Sequence, residues 1–245
     1  MDTLKAQTDS HPVASLSIFF PCYNEKDSVR AITQKALLTA KDICSDFEVI
    51  LVDDGSKDGT AELIDTLANE YPNVHAVHHP QNQGYGSALQ SGFRAASKDY
   101  VFYSDGDSQF DIGELPTLLP LIRNHDIVSG YRLDRQDSML RKINAFCWTR
   151  LVCFLFGLRL KDIDCAFKLY KREIFDQIEM HSTGALIDTE ILARAMQKGY
   201  SIAQIGVHHY PRKAGQSTGA DVKVILRAFK ELFKLRKQIQ QTGKS

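Results

Sequence analysis

The segment YSDGDSQFD at residues 103–111 places three carboxylates within seven positions, directly after an apolar run. Like charges at this spacing repel one another and lower stability unless a divalent cation, a basic side chain or solvent offsets them. On a loop, acids at alternate positions converge on one cation, and oxygen-only ligands suit Mg²⁺ or Mn²⁺. We therefore predict that Asp105, Asp107 and Gln109 bind a divalent metal ion that grips phosphates. The alternative is a solvated Asp-Gly turn.

Two more polar clusters follow apolar runs, PCYNE at residues 21–25 and DDGS at residues 53–56. A carboxylate at the end of a strand, such as Asp53 or Asp54, can accept hydrogen bonds from a ribose or a base edge. The alternative is a turn in which Ser56 or Asp58 caps the next helix. The two interpretations are compatible, since different side chains serve them.

The elements around these clusters alternate between strand-like and helix-like patterns through the first half of the chain. The predicted strands are residues 16–20, 47–52, 74–78, 100–104 and 126–129, and the predicted helices are residues 29–43, 60–70, 87–96 and 115–122. Alternation of this kind implies parallel pairing and a doubly wound α/β sheet. In such sheets ligands bind beyond the carboxyl ends of the strands, where all three polar clusters lie.

The alternation ends after Tyr131. Residues 132–139 are charged and loop-like, and residues 140–160 form an aromatic-rich helix with basic edges. The remaining predicted elements are a strand at residues 165–170, a helix at 188–197, a strand at 202–208 and a basic amphipathic helix at 222–239.

At 245 residues the chain fits one large domain, or one domain with a small appendage. We predict a disordered tail at residues 1–15, a domain at 16–220 and a basic amphipathic helix with a tail at 221–245. The domain divides into a nucleotide-binding half, 16–131, and an acceptor half, 132–220. Thirty basic and thirty acidic residues cancel, so bulk charge gives no indication of nucleic-acid binding.

Five scattered cysteines without a CxxC pair favour a reducing compartment, with buried thiols as the expectation. The chain shows neither a signal peptide nor an apolar run of the roughly 20 residues that a membrane span needs. We therefore expect a protein that is soluble or lies on a membrane surface.

Several familiar motifs are incomplete. GYGSAL at residues 84–89 lacks the third glycine of a dinucleotide fingerprint, and the terminal TGKS lacks the first glycine and the preceding strand of a phosphate loop. The pairs His78–His79 and His208–His209 point to opposite faces of a strand. We interpret them as structural or rim residues rather than as joint metal ligands.

Together the polar clusters resemble those of the family 2 glycosyltransferases, and within that family the dolichyl-phosphate mannosyltransferase-like enzymes, which use a polyprenyl phosphate. The likeness covers about residues 16–218. The segments that carry it are FPCYNE, VDDGSKDGT, NQGYGSALQSGF, DGDSQFD, SGYR at 129–132, DIDCAFKLYKR at 162–172 and YPRKAGQST at 210–218. Single segments are unspecific, but their order and spacing are distinctive.

The resemblance implies a GT-A nucleotide-sugar transferase fold, a nucleoside-diphosphate sugar donor and inversion at the anomeric carbon. This fold has a mostly parallel central sheet flanked by helices, here with a C-terminal acceptor-side extension. The resemblance also assigns roles to single residues. The residues expected to contact the base and ribose are Pro21, Tyr23, Glu25 and Asp53, together with the neighbouring Asp54. Asp105 is expected by the ribose or the metal, with Asp107 and Gln109 as metal ligands. Those expected at the phosphates of donor or acceptor are Arg132, Arg212, Lys213 and Ser217.

The chain departs from the family's pattern at three positions. Gly106 and Ser108 stand where many relatives have Ala and Leu, and Thr218 stands where a lysine is frequent. The first two changes are mild, whereas the third weakens the argument for a phosphate acceptor.

The acceptor depends on whether a general base is present. A sugar hydroxyl needs one, whereas a phosphate monoester, with a second pKa of about 6, is already a dianion near neutrality. Asp164 in DIDCAF is the candidate base, although we favour a structural hydrogen-bond acceptor for it. The cations at Arg132, Arg212 and Lys213 suit an anionic acceptor.

The helix at residues 140–160 bears on the same choice. Its aromatic residues are Phe146, Trp148, Phe154 and Phe156, and they lie among Arg141, Lys142, Arg150 and Arg159. Such a helix can rest in the headgroup region of a membrane, and the alternative is a core or dimer-interface helix. We favour the membrane surface. The C-terminal helix either adds electrostatic attraction or is a solvated face, with Lys223, Arg227, Lys230, Lys234 and Arg236 as its basic residues.

We therefore predict a metal-dependent inverting glycosyltransferase, peripheral on the cytoplasmic face of a membrane. It would move a hexose from GDP-mannose or a UDP-hexose to a polyprenyl or dolichyl phosphate. One alternative is a transferase to a saccharide hydroxyl in cell-envelope polysaccharide synthesis, with Asp164 as base. Others are a non-catalytic nucleotide-sugar-binding subunit and a nucleotidyltransferase. The sugar, the base, and a homodimer or membrane-protein partner stay open.

Overall fold

A computed structural model describes residues 13–133, 139–211 and 222–242, and for residues 140–141, 222–230 and 242 it describes the backbone alone. The strands are β1 (Ser15–Cys22), β2 (Asp46–Asp53), β3 (Val74–His78), β4 (Tyr100–Ser104), β5 (Ile127–Leu133), β6 (Phe167–Lys171) and β7 (Ile202–His208). They form one sheet in the order β3-β2-β1-β4-β6-β5-β7.

The helices lie between and after these strands. They are α1 (Lys26–Ile43), α2 (Thr60–Glu70), α3 (Tyr85–Ala95), a 3₁₀ helix (Ile112–Leu118), α4 (Leu119–Ile122), α5 (Met139–Phe156), α6 (Ile174–Gln177), α7 (Ile187–Gln197) and α8 (Val222–Thr242).

The central strands are apolar because both of their faces are covered. All eight residues of β1 are buried, and so are the last six of β2. Strands β2, β1 and β4 run parallel, with β1 in the middle. Right-handed crossovers then place α1 and α2 on one face and α3 on the other. This is the doubly wound arrangement that the alternating pattern predicts.

One strand breaks the parallel direction. Strand β6 lies between β4 and β5 and pairs antiparallel with both, while β5 and β7 pair in parallel. The predicted division of the domain at residues 131–132 falls inside β5, so both halves belong to one continuous sheet. Strands β1, β2, β4 and β5 therefore end at the same edge.

Helix α3 packs closely against the sheet because it carries a glycine at the contact. A Cβ on Gly92 would lie 2.3 Å from the Phe19 ring, which is too close for any larger residue. The rings of Phe19 and Phe93 meet edge to face at 4.8 Å, and Phe93 stacks on Phe175 at 4.0 Å. Phe19 also stacks on Tyr103 at 5.5 Å, so these aromatic contacts join α3 to β4.

Two sequence predictions differ from the structure in this region. Residues 115–122 are a 3₁₀ helix followed by one turn of α-helix, because Pro116 lies inside this segment and interrupts regular α-helical hydrogen bonding. Strand β5 extends to Leu133, since its parallel pairing with β7 continues to His208. Arg132 is therefore a strand residue and not part of a loop.

The ends of the chain and of α5 also differ from the predictions. Ser15 belongs to β1 and is buried, although the expected disordered tail included it. Helix α5 ends at Phe156, before Gly157 at a φ of 70°.

All five cysteines are free thiols, and Cys147 is exposed on α5, contrary to the expectation of burial. Within the described ranges, no helix is both long and apolar enough to span a membrane.

Candidate functional site

The loops after β1 and β2 are joined to each other by hydrogen bonds. The side-chain oxygen of Asn24 accepts from the Lys57 amide at 2.9 Å, and the Asn24 amide donates to the Ser56 hydroxyl at 2.9 Å. Asn24 adopts a left-handed φ of 56°, a conformation that asparagine tolerates better than most residues. The PCYNE and DDGS clusters therefore form one rigid surface.

A cavity of about 550 Å³ lies between these loops and the segment after β3. Tyr23 and Asp53 both line it, and their expected contact with a base and ribose stays a prediction. Asp53 accepts a hydrogen bond from the Ser56 amide at 3.1 Å, and its other oxygen lies 3.5 Å from Nδ1 of His78. Tyr23 is 44% exposed, so its ring is available to a ligand in this cavity.

Asp54 stabilises the loop that closes this cavity by accepting hydrogen bonds from it. Its Oδ1 accepts from the Gln83 amide at 2.8 Å and lies 2.7 Å from Nδ1 of His79, and its Oδ2 accepts from the Gly84 amide at 2.9 Å. The carboxylate is buried. Asp54 thus holds residues 79–84 in place, and its expected contact with the ligand stays a prediction.

The described histidine side chains of both pairs contact other residues of the fold. His78 also lies 2.9 Å from Asp65, and Nε2 of His79 lies 2.9 Å from the Ser91 hydroxyl. His208 pairs with Glu114 at 3.0 Å. The ring of His209 meets that of Phe110 at 5.0 Å.

The loop after β4, residues 105–109, packs directly onto the end of β1. Ser28 on α1 donates to the Gly106 carbonyl at 2.7 Å and to Glu25 at 3.1 Å. A Cβ on Gly106 would lie 2.9 Å from the Pro21 carbonyl oxygen and 3.1 Å from Sγ of Cys22. Only glycine permits this approach, and it brings Pro21 and Glu25 beside the acidic loop. We call residues 105–109 the acid loop.

The two carboxylates of the acid loop are held by different partners. The Tyr85 hydroxyl donates to Oδ1 of Asp105 at 3.0 Å, and Oδ1 of Asp107 accepts from the Gln109 amide at 3.0 Å. Ser108 has a φ of 60°, a strained conformation of the kind found at functional sites. Burial, and then the charge of Asp107, raise the pKa of Asp105 to about 7.

These groups fit a divalent cation, because a cation offsets both the burial of the Asp105 charge and its repulsion by Asp107, which together raise this pKa. Over the described part of the chain, no group of three or more His, Cys, Asp or Glu side chains is placed to hold a metal ion. Mg²⁺ commonly takes one or two carboxylates and completes its shell with water and phosphate oxygens. Asp105 and Asp107, with the amide oxygen of Gln109, suit an ion that a phosphate ligand completes.

The acid loop is tied to the segment after β7. The Gln109 side-chain amide donates to the Tyr210 carbonyl at 3.0 Å, and the Tyr210 amide donates to the Gln109 carbonyl at 2.8 Å. The predicted phosphate ligands Arg212, Lys213 and Ser217 follow directly in sequence but lie outside the described residues.

Arg132 lies at the end of β5 and pairs with Asp162. Its Nε donates to one carboxylate oxygen at 2.6 Å, and its Nη2 donates to the other at 2.8 Å. Burial alone would lower the pKa of Arg132, but the hydrogen bonds and charge of Asp162 raise it overall. The guanidinium is therefore fixed in place and always charged.

Asp164 lies two residues from that pair in a different environment. Burial, and then the charges of Asp188 and Asp162, raise the pKa of Asp164 to about 6. Among the described residues no donor forms a hydrogen bond with its carboxylate. The expectation that Asp164 is a structural hydrogen-bond acceptor is therefore not supported.

Three further residues belong to this region, and sequence reasoning missed them. Tyr85 contacts Asp105, and Lys168 on β6 is buried against Asp188 on α7 at 2.8 Å. Lys168 had a sequence signal, since it is a lone lysine within the apolar run CAFKLY. Asp188 and Tyr85 gave no such signal in the sequence, because an acid in the first turn of a helix and a tyrosine at the start of a helix are both common on protein surfaces.

Helix α5 has two apolar faces, which the sequence shows only as a single aromatic-rich run. Val152 is fully buried, and Trp148 and Phe156 pack partly buried against the core. On the other side Phe146 is 58% exposed and Phe154 is 83% exposed. The guanidinium of Arg150 lies 5.2 Å from the Phe146 ring centroid. The outward face is apolar with basic neighbours.

The chain is similar to a known family and to named proteins. A family model described as glycosyl transferase family 2 matches residues 17–179. The undecaprenyl-phosphate 4-deoxy-4-formamido-L-arabinose transferase of Yersinia enterocolitica serotype O:8 is 32% identical over 222 residues, or 89% of this chain. The protein of the same name from Yersinia pestis strain Pestoides F is 31% identical over 220 residues, or 88% of this chain. The chain spans 66% of the length of each relative.

Solved structures share the architecture. Glucosyl-3-phosphoglycerate synthase from Mycobacterium tuberculosis, in complex with Mn²⁺, uridine-diphosphate-glucose and phosphoglyceric acid, has a TM-score of 0.70 at 16% identity, covering 91% of this chain and 80% of that one. Mannosyl-3-phosphoglycerate synthase from Rubrobacter xylanophilus has a TM-score of 0.69 at 17% identity, covering 95% and 76%. At this identity the likeness bears on the fold alone, and it confirms the predicted GT-A fold.

Proposed function

Because the chain belongs to glycosyl transferase family 2, we propose that it transfers a hexose from a nucleoside-diphosphate sugar to a polyprenyl phosphate. The reaction would proceed with inversion at the anomeric carbon and depend on Mg²⁺ or Mn²⁺.

The observation that carries this proposal is the acid loop at the edge where β1, β2 and β4 end beside one another. Asp105 and Asp107 share one short loop and are both half-buried, and burial together with the charge of Asp107 raises the pKa of Asp105 to about 7. Two half-buried acids this close destabilise the fold through their repulsion unless a cation neutralises it. A divalent ion there supplies Lewis-acid stabilisation of the charge that grows on the leaving diphosphate.

We assign the donor nucleoside to the cavity between the loops after β1 and β2 and the segment after β3. Asp53 offers carboxylate oxygens to a ribose or base edge, and the exposed ring of Tyr23 offers a stacking surface. A solved structure with the same fold is in complex with Mn²⁺ and uridine-diphosphate-glucose. We place the base and ribose in this cavity and the diphosphate toward Asp107.

A phosphate acceptor is supported by the named relatives, which are undecaprenyl-phosphate transferases. Arg132 adds a fixed positive charge near the end of β5, and Asp162 takes two of its five N–H donors. We assign Arg132 to the acceptor or donor phosphates, together with Arg212, Lys213 and Ser217. A phosphate dianion needs no general base, since it carries no proton at the attacking oxygen.

The exposed apolar face of α5 supports a site at a membrane surface. Phe146 and Phe154 can enter the headgroup boundary while basic neighbours contact lipid phosphates. The free, exposed thiol of Cys147 suits a reducing compartment. We therefore propose a peripheral protein on the cytoplasmic face.

A second candidate is transfer to a saccharide hydroxyl, and Asp164 is the observation that favours it. A carboxylate without a hydrogen-bond donor and with a pKa raised to about 6 is suited to accept a proton near neutrality. This candidate requires Asp164 to face the acceptor, and it makes Asp164 a catalytic residue.

One assay separates these functions. The protein is incubated with Mn²⁺, a panel of labelled nucleotide sugars, and either a short polyprenyl phosphate or an oligosaccharide. We expect label on the polyprenyl phosphate, loss of transfer in Asp107→Ala, and activity in Asp164→Asn within a few-fold of wild type.

Other outcomes exclude the proposal in distinct ways. Label on the oligosaccharide, abolished by Asp164→Asn with donor binding intact, would establish the second candidate. Absence of both transfer and donor hydrolysis would indicate a non-catalytic binding subunit, and release of pyrophosphate would indicate a nucleotidyltransferase.

A further inference from the structure

A fully buried lysine lies on β6 behind the acid loop. Lys168 has no exposed surface, and its ammonium has three acceptors for its three N–H donors. These are Oδ1 of Asp188 at 2.8 Å, the Tyr103 hydroxyl at 3.2 Å and the Cys165 carbonyl. The Tyr103 hydroxyl in turn donates to Oδ1 of Asp188. We call Tyr103, Lys168 and Asp188 the buried cluster.

Stability alone does not account for this cluster. An ion pair in an apolar interior gains little over hydrophobic residues of the same volume, because desolvation offsets its attraction. The cluster adjoins the candidate site, because Tyr103 lies on β4 two residues before Asp105 and its side chain is hydrogen-bonded to that of Tyr85.

Tyr85 provides a direct contact to the acid loop. Its hydroxyl donates to Oδ1 of Asp105 at 3.0 Å, which fixes one oxygen of that carboxylate. Asp105 can then present its other oxygen in one orientation. A ligand carboxylate oriented by an outer hydrogen bond binds metal better than one free to rotate.

The segment that leads into α7 holds Tyr85 in position. The Gly86 amide donates to the Thr183 carbonyl at 2.9 Å, and the Gln90 side chain donates to the Ser182 carbonyl at 3.0 Å. A Cβ on Gly86 would lie 2.4 Å from that Ser182 oxygen, so the contact is tight. The same segment continues into α7, which carries Asp188. Thus α3, α7 and the acid loop are fixed to one another.

We propose that Tyr85, supported by the buried cluster, is a positioning residue that orients Asp105 toward the divalent ion. This inference rests on the proposed function, because it assumes that the acid loop binds metal with a nucleotide. It assigns Tyr85 and Lys168 a role in ion affinity rather than in contact with the donor.

The test measures Mn²⁺ affinity in the full-length protein. Free Mn²⁺ is quantified by electron paramagnetic resonance during titration in the presence of UDP or GDP, for wild type, Tyr85→Phe and Tyr71→Phe. Tyr71 is a matched control because its hydroxyl lies at the end of α2 and contacts Gln34. We expect about 10–100-fold weaker Mn²⁺ binding in Tyr85→Phe alone. Nucleotide binding with chelator and the thermal midpoint should match wild type.

The buried cluster is tested by a pair of variants. Lys168→Met leaves Asp188 buried without its cation and should lower both stability and Mn²⁺ affinity. Lys168→Met combined with Asp188→Leu should restore the thermal midpoint but leave Mn²⁺ binding weakened. If the cluster were purely structural, the double variant would regain both the thermal midpoint and the Mn²⁺ affinity of wild type.

Three outcomes would overturn the inference. If Tyr85→Phe binds Mn²⁺ as tightly as Tyr71→Phe, the proposed function stands and the positioning role is wrong. If the double variant recovers full Mn²⁺ affinity, the cluster is structural. If wild type itself shows no nucleotide-dependent Mn²⁺ binding, the inference and the metal-dependent function are both wrong.

Discussion

At the scale of single residues, the acid loop depends on the missing side chain of Gly106. A Cβ there would lie 2.9 Å from a backbone carbonyl oxygen, that of Pro21, which cannot move without shifting β1. The approach is what places Asp105 and Asp107 next to the end of β1. Many relatives have alanine at this position, whereas Gly106 allows the acid loop to approach β1 more closely in this chain.

Gly106→Ala should therefore destabilise the protein and weaken the site. Overpacking of this kind costs about 1–3 kcal/mol, so the thermal midpoint should fall by several degrees, with a lower metal-dependent activity. Scanning calorimetry of Gly106→Ala and Gly184→Ala checks this, because a Cβ on Gly184 meets nothing within 4 Å. An unchanged midpoint and activity in Gly106→Ala would show that the loop accommodates the methyl group.

Residue types and order predict the acids, but not which partners hold them. Sequence reasoning places Asp105, Asp107 and Gln109 on a loop after a buried strand, and the structure confirms that placement. The sequence does not predict that Asp162 forms an ion pair with Arg132, because that contact depends on where β5 ends. It also favours a structural role for Asp164, whose environment is created by residues distant in sequence.

At the scale of elements, one carboxylate joins three strands at the edge of the sheet opposite the acid loop. Asp126 precedes β5, pairs with Lys171 at the end of β6 at 2.7 Å, and accepts from the Ser201 amide before β7 at 2.8 Å. Burial alone would raise the pKa of Asp126, but Lys171 and Ser201 lower it to about 2. The carboxylate therefore stabilises the fold when it is ionised.

The pH dependence follows from the depressed pKa. An unfolded aspartate has a pKa of about 3.9, so this stabilisation is fully present above about pH 4 and is lost as the pH falls toward about 2. The difference in free energy of unfolding between wild type and Asp126→Asn should be constant from pH 7 to 5 and shrink below pH 4. Urea denaturation at each pH measures it, with exposed Asp42→Asn as control. A difference independent of pH would contradict the assignment.

Helix α5 makes a separate prediction about membranes. Phe146 and Phe154 are exposed, so replacing both with serine should spare the fold but reduce binding to vesicles that contain anionic phospholipid. Burial of one such side chain contributes about 1.5–3 kcal/mol, which corresponds to about tenfold or more in partitioning. Leu38→Ser removes an equally exposed apolar residue, 68% exposed on α1, and should leave vesicle binding unchanged. An equal loss of vesicle binding in Leu38→Ser and in the double serine variant would show that α5 is not the membrane contact.

Secondary structure could be predicted best where burial is complete. Strands β1, β2 and β4 follow directly from their apolar runs, and α1 to α3 from their helical spacing. The segment around Pro116 and the extension of β5 escaped prediction, since proline geometry and pairing with β7 decide them. Nor does the run at residues 140–160 show which aromatic residues face inward.

At the scale of the whole molecule, the order of the strands creates the site. With β1 between β2 and β4, the loops after all three strands meet at one edge. The antiparallel β6 then brings Lys168 beneath that edge, and α7 supplies Asp188. Periodicity predicts a doubly wound sheet, but strand order arises from long-range pairing that no local pattern contains.

The central claim is that the acid loop binds a divalent ion together with the diphosphate of a nucleotide. Calorimetric titration of UDP and GDP into the wild-type protein and Asp107→Asn, with Mn²⁺ or with chelator, tests it most directly. We predict that at least one nucleotide binds wild type about tenfold or more tightly with Mn²⁺ than with chelator, and that Asp107→Asn loses this difference. Equal affinity for both nucleotides in wild type, with and without Mn²⁺, would contradict the claim.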